Sequence, residues 1–201
     1  MMKRAFDVIV SAAGLVVFSP VAVLIAIAIK LDDGGPVLFS QDRVGRYGAP
    51  FAAHKFRSMI VDAEKMTGAV QATAGDPRVT RVGRILRATA FDELPQLWNI
   101  FRGQMSVVGP RPLRPGEADT TADGRHLPLS AIPGYEQRHR VRPGLTGIAQ
   151  IYAPRDLPRN GKFRYDLLYQ RRAGLALDLR LILTSFWITL RGRWEDRGPK
   201  V

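Results

Sequence analysis

The sequence predicts a mainly α protein with a short β element, an α+β chain whose first helix enters a membrane. Three observations predict it. An uncharged 22-residue run from Val8 to Ile29 lies near the start, broken at its middle by Ser19-Pro20. Apolar residues follow helical spacing at Leu94, Leu97, Trp98 and Phe101, and again at Leu179, Ile182, Leu183, Phe186 and Leu190. Between them Phe51–Met59 alternates as a strand does, preceded by the short strand-like Val37-Leu38-Phe39.

Composition narrows the partners. At 201 residues the chain forms one domain with a proper core. Thirty Lys+Arg against eighteen Asp+Glu leave a formal charge of +12. That excess favours nucleic acid, anionic headgroups or phosphorylated small molecules. Without cysteine there are no disulfides or thiolate metal sites. His54, His126 and His139 are too widely spaced to suggest a histidine metal site.

At about 1.5 Å per residue, the Val8–Ile29 run as a straight helix would just cross a ~30 Å hydrocarbon core. A signal peptide is rejected, because no small-residue cleavage site follows at Ile29-Lys30-Leu31-Asp32-Asp33. Pro20 cannot donate to the Val16 carbonyl, so a kink is expected, with Ser19 or Ser11 available to serve the freed acceptor. Lys3 and Arg4 precede the run and Lys30 ends it, which favours both ends on the cytoplasmic side. A re-entrant hairpin and a Pro-kinked spanning helix both remain open on these grounds.

Asp32 to Pro36 reads as a turn, and Gln41–Gly48 as a basic, Gly-punctuated loop. In the Phe51–Met59 strand, Lys55 and Arg57 share one face, where cations spaced i, i+2 can grip a diphosphate. His54 is expected to be structural. Ile60–Thr67 reads as a short helix and Gly68–Asp76 as a loop. Arg78, Arg81, Arg84 and Arg87 recur every three residues, and on a helix each step rotates by about 300°. They cannot all face one site; Arg84 and Arg87 lie nearest Asp92-Glu93.

That acidic pair opens the Leu94–Phe101 helical stripe. Asp92 fits the N-cap, with Pro95 tolerated in the first turn and Arg102-Gly103 closing the element. Beyond it, Pro110 and Pro112 restrict the backbone on both sides of Arg111, whose fork suits phosphate. Glu117–Arg125 reads as a surface excursion. Arg142 precedes Pro143–Gly147, read as a turn that forms an anion-binding nest. Tyr152–Lys162 reads as a loop. The uncharged Leu181–Leu190 is too short to span a membrane, and with Trp187, Trp194, Arg191, Arg193 and Arg197 it suits an interfacial helix.

No P-loop, nucleophile elbow, metal cluster or dinucleotide fingerprint is present. What remains is a carboxylate pair among cation-bearing loops at a membrane, which suits an anionic substrate such as a diphosphate. A carboxylate there can act as nucleophile or Mg²⁺ ligand. The ordered motifs FDELPQLWNIFRGQMSVVGPRP, with DPRVTRVGRILR before and RVRPGLTGIAQ after, closely resemble the bacterial sugar transferase family, the monotopic phosphoglycosyl transferases. The likeness runs nearly the whole chain, from Ser19-Pro20 and HKFRSM to RYDLLY and LDLRLILTS.

The resemblance implies transfer of a sugar 1-phosphate from a UDP-sugar to polyprenyl (undecaprenyl) phosphate, releasing UMP. Asp92 matches the family nucleophile, which carries the phospho-sugar, and Glu93 the second member of the dyad. Mg²⁺ is the implied cofactor, with Asp92 as its protein ligand. Lys55, Arg57, Arg87, Pro110, Arg111 and Arg142 match or neighbour substrate-binding positions. The resemblance also implies a re-entrant membrane helix over residues 1–31 and a cytoplasmic-face catalytic domain over 32–201. It places the chain monotopically on the bacterial inner (cytoplasmic) membrane, as a minimal catalytic unit without the multi-pass region of larger members. The expected partners are a UDP-sugar, polyprenyl phosphate and phospholipid, with no nucleic acid and with a homodimer as an option. Ile148 stands where the family usually has Trp, and Tyr152-Ala153-Pro154-Arg155 replaces a common Asn-Gly-Arg stretch, which bears on sugar choice. A non-catalytic basic adaptor on anionic lipid is the competing function.

Overall fold

A computed structural model describes residues 2–63, 75–120, 126–154 and 157–194. The chain opens with α1 (Met2–Val17) and α2 (Ser19–Asp33), bent by 57° at Phe18. The Val16 carbonyl that Pro20 cannot serve accepts instead from Ser19 Oγ at 2.8 Å. No single described helix is long and apolar enough to cross a membrane. The helix runs two residues past the expected boundary at Leu31 and stops at Gly34, whose φ of 72° favours glycine. Ile25 and Ile29 pack against Phe56 and Leu86, while Ile9, Val16, Val17, Val23, Leu24, Ile27 and Leu31 stay exposed.

Strands β1 (Leu38–Val44) and β2 (Pro50–Phe56) form an antiparallel ribbon pairing Leu38 with Phe56 and Val44 with Pro50. The expected loop over Gln41–Gly48 therefore needs correction, since the strand continues to Val44. Cross-strand pairing overrides the weak strand preference of Gln41 and Asp42. His54 is structural, its Nδ1 lying 2.9 Å from Ser40 Oγ. Of the helix expected over residues 60–67, residues 61–63 form a turn, and 64–67 lie outside the described residues, as does most of the loop expected over 68–76.

Helix α3 (Arg81–Thr89) starts where Thr80 Oγ1 accepts from the Gly83 N–H at 2.9 Å. It ends at Ala90, whose left-handed φ of 58° turns the chain into a 3₁₀ turn, Phe91–Glu93. Only then does α4 (Gln96–Phe101) begin. Asp92 is thus no helix cap. Leu97 N–H bonds the Leu94 carbonyl and Trp98 N–H that of Pro95, so the segment around Pro95 winds with i→i+3 bonds before the α-helix proper.

Strand β3 (Ser106–Val108) follows, then the hairpin of β4 (Ala118–Thr120) and β5 (His126–Pro128). The surface excursion expected at 117–125 is in part this ribbon; residues 121–125 lie outside the description. The one-turn helix α5 (Tyr135–Arg138) leads to β6 (Gly144–Thr146), which pairs parallel with β3. The nest expected at Pro143–Gly147 is therefore a strand. Glycine is required there because a Cβ on Gly144 would sit 2.0 Å from the Gly109 nitrogen.

Helices α6 (Ile148–Tyr152), α7 (Arg159–Arg172) and α8 (Leu175–Arg191) complete the fold. The loop expected over Tyr152–Lys162 thus holds the end of α6 and the first turn of α7. The core joins Ile100, Met105, Val108, Ile151, Tyr169, Leu181 and Ile188. On α8, Leu183, Phe186, Trp187 and Leu190 remain exposed, an apolar face suited to a membrane surface. Arg197 lies outside the described residues.

Buried polar contacts dock α1 on this body. Asp7, 1% exposed, accepts from Ser106 Oγ at 2.9 Å and from Val107 N at 3.1 Å. Lys3 reaches Asp178 at 2.7 Å, and Arg4 donates to the carbonyls of Ile100 and Phe101. At the other end of the helix pair, Asp33 is held by Arg57 in a two-pronged ion pair.

Candidate active site

Three elements converge on the 3₁₀ turn. Lys55 comes from β2, Arg87 from the last turn of α3, Arg111 from the loop after β3, and the carboxylates from the turn itself. Lys55 Nζ lies 2.5 Å from Glu93 Oε1, and Arg111 Nη2 lies 3.1 Å from the same oxygen. Asp92 is buried, and among the described residues its carboxylate accepts no hydrogen bond. All five line a cleft of about 1220 Å³, which also takes in Arg43, Arg114, Arg138 and Arg159.

The two carboxyls are driven apart. Burial pushes Asp92 up to about 6, with the Glu93 charge adding to the rise and Lys55, Arg87 and Arg111 opposing it. Because Asp92 sits in a 3₁₀ turn and not at an α-helix N-cap, burial dominates its ionisation. Glu93 is half-buried, and the Lys55 and Arg111 charges and hydrogen bonds overcome its desolvation and hold it down to about 2. In return, the Glu93 charge raises Arg111 above the usual guanidinium value. One carboxylate is thus neutralised by cations, while its neighbour stays exposed to chemistry. Such a split marks a functional site.

Residues 1–192 match the family model described as bacterial sugar transferase. The chain belongs to the bacterial sugar transferase family. An exopolysaccharide production protein PSS from Rhizobium leguminosarum bv. phaseoli is 43% identical over 186 residues, covering 90% of this chain and 91% of the relative. An undecaprenyl-phosphate glucose phosphotransferase from Komagataeibacter xylinus is 46% identical over 190 residues, covering 91% of this chain but 35% of the relative. A UDP-N-acetylgalactosamine-undecaprenyl-phosphate N-acetylgalactosaminephosphotransferase from Aeromonas hydrophila is 39% identical over 194 residues, 95% of this chain and 44% of the relative. The chain therefore spans nearly all of the first but less than half of the other two.

In this bacterial sugar transferase the cations foreseen from sequence divide into two groups. Lys55, Arg87 and Arg111 gather around the carboxylate pair. Arg57 lies just beyond the end of β2 and turns to Asp33, also donating through Nε to the Pro36 carbonyl at 2.6 Å. It borders the cleft, but its guanidinium serves the helix pair. Arg142 donates to the Gly103 carbonyl at 2.8 Å and does not line the cleft. Pro110 is buried, its carbonyl accepting from Gly144 N at 2.9 Å. Of the family departures, Ala153 and Pro154 line the cleft, whereas Ile148 is buried in the core and Tyr152 faces outward.

The cleft walls from Arg43, Arg138 and Asp166 were not foreseen. Arg43 falls in the stretch read as loop, and Arg138 and Asp166 meet only because α5 and α7 pack together. No cluster of three or more His, Cys, Asp or Glu that could hold a metal exists among the described residues. The donor set is a single uncommitted carboxylate, Asp92. That fits Mg²⁺, which usually takes one or two protein carboxylates together with substrate phosphates and water.

Proposed function

We propose that this chain moves a sugar 1-phosphate from a UDP-sugar to polyprenyl (undecaprenyl) phosphate, with Asp92 as the nucleophile. The observation that carries the reading is Asp92 itself, a buried carboxylate without a hydrogen bond, flanked by three cations. An Asp92 oxygen attacks the phosphorus that bears the sugar, the bond to the UMP phosphate breaks, and UMP leaves with that electron pair. A polyprenyl phosphate oxygen then attacks the same phosphorus and releases the Asp92 carboxylate. Lys55, Arg87 and Arg111 bind and orient the diphosphate and offset its charge. Glu93 holds Lys55 and Arg111 in place beside the nucleophile. Mg²⁺, held by Asp92, would supply further charge neutralisation of the diphosphate.

The relatives' names divide between glucose and N-acetylgalactosamine. A panel of UDP-sugars with Mg²⁺ and undecaprenyl phosphate is expected to release UMP with at least one of them. A folded, liposome-bound protein that releases none would favour the adaptor instead. The nucleophile must be ionised, so kcat/KM is expected to rise with pH through about 6, following Asp92. A flat profile between pH 5 and 8 would contradict that assignment.

We propose further that α1 and α2 form a re-entrant hairpin on the cytoplasmic face of the inner membrane. Its support is that both ends of the pair are tied to one body, Lys3 to Asp178 and Asp33 to Arg57. A polar body held at both ends favours entry and exit by one face. Single cysteines at positions 2 and 34, labelled in intact cells, are expected to share accessibility; opposite accessibility would show a spanning helix.

A further inference from the structure

The segment Pro110-Arg111-Pro112 carries two residues without a backbone N–H, so it cannot be held by an ordinary ladder. It is held by its carbonyls. Pro110 accepts from Gly144 N at 2.9 Å, Arg111 from Arg138 Nη2 at 2.7 Å, and Pro112 from Arg43 Nη1 at 3.3 Å.

Arg138 is 2% exposed and every side of its guanidinium is engaged. Nε and Nη2 meet Asp166 Oδ2 at 3.0 and 2.9 Å, and the charge lies 4.8 Å from the Phe163 ring centre. Nη1 lies 3.2 Å from His139 Nε2, and His139 Nδ1 lies 2.8 Å from the Tyr135 carbonyl. Burial and the Arg138 charge push the His139 pKa down to about 4, so the neutral ring accepts from Arg138 while donating to Tyr135. Arg43 is steadied in turn by Gln41 Oε1. A buried ion pair adds little stability over an apolar pair of similar size. This one borders the same cleft as Asp92, and its remaining bond goes to the peptide that carries Arg111.

We infer that Arg138 and Arg43 are positioning residues, holding the Pro-Arg-Pro segment so that the Arg111 guanidinium stays on Glu93. The inference deepens the transferase reading and rests on it. Asp166 and Gln41 set the two arginines, the arginines set the loop, and the loop sets the cation that meets the substrate.

The test replaces the buried pair by an apolar one, Arg138→Met with Asp166→Leu, which spares the fold a lone buried charge. Arg138→Lys, which keeps a charge beside Asp166 but loses the fork, provides a second variant should the first not fold. Either is expected to lower kcat/KM about 10- to 100-fold, as small misplacements of a binding group do. In an Arg111→Ala background the same change is expected to cost less than about twofold more, because both act through one guanidinium. Losses that multiply would overturn the inference. A readout independent of turnover is UDP affinity by calorimetry, measured on variants whose Tm matches the parent. UDP affinity is expected to fall in the positioning variant by about as much as in Arg111→Ala. Unchanged UDP affinity would sink the positioning role, whereas absence of UMP release by the unaltered protein would sink the transferase reading alone.

Discussion

Asp92→Asn is expected to abolish turnover and, at the same time, to raise the melting temperature. The folded-state pKa of Asp92, about 6, lies above the ordinary 3.8. Between these values the native protein binds more protons than the unfolded chain. Its carboxyl therefore contributes stability at pH below about 4, and that contribution is lost as pH rises through about 6. At pH 7.5 the ionised group thus costs the fold on the order of 1–3 kcal/mol, from a shift of about two units at ~1.36 kcal/mol each. Asparagine keeps the size and loses the charge. At ~2–4 °C per kcal/mol for a chain of this length, calorimetry with EDTA at pH 7.5 should show a rise of roughly 2–12 °C. Loss of the nucleophile should cost turnover a factor on the order of 10³ or more. A mere helix cap would behave differently, since Asn caps about as well as Asp and Tm would stay put.

The second large effect lies where α1 is seated on the body. Asp7→Ala should destabilise the protein by about 2–4 kcal/mol, because Ser106 Oγ and the Val107 N–H would both lose their buried acceptor. That corresponds to a fall in Tm of roughly 4–16 °C. Asp7→Asn keeps an oxygen in place and should lose less. Proteolysis should cut between α1 and the body first in the alanine variant. An Asp7→Ala protein melting within a degree of the parent would mean that α1 is not seated by this contact.

Asp7 also shows where sequence reading stops. It directly precedes the uncharged run, and nothing local points to its partners, which sit in β3, some hundred residues away. Ser19, by contrast, was legible, because the carbonyl that Pro20 abandons is local and a hydroxyl one residue earlier can reach it. Lys55 was found by strand alternation. Arg57 was grouped with it by the same alternation, but β2 ends at Phe56 and Asp33 captures the guanidinium. The acidic pair stood out as adjacent carboxylates before a helical stripe, but the structure places it in a 3₁₀ turn and not at a helix cap. Ala90 in a left-handed conformation and Pro95 four residues beyond the turn's start shift the helix to Gln96. The parallel pairing of β3 with β6 had no sequence signal, being three residues long and rich in glycine and proline nearby.

The nucleophile can be caught directly. The protein is mixed with Mg²⁺ and a productive UDP-sugar, with undecaprenyl phosphate left out, and then digested for peptide mass spectrometry. The expected result is a sugar phosphate on the peptide holding Asp92, absent from Asp92→Asn and discharged when the polyprenyl phosphate is added. Acceptor-dependent UMP release with no modified enzyme, or modification at another residue, would contradict Asp92 as the group that carries the sugar phosphate.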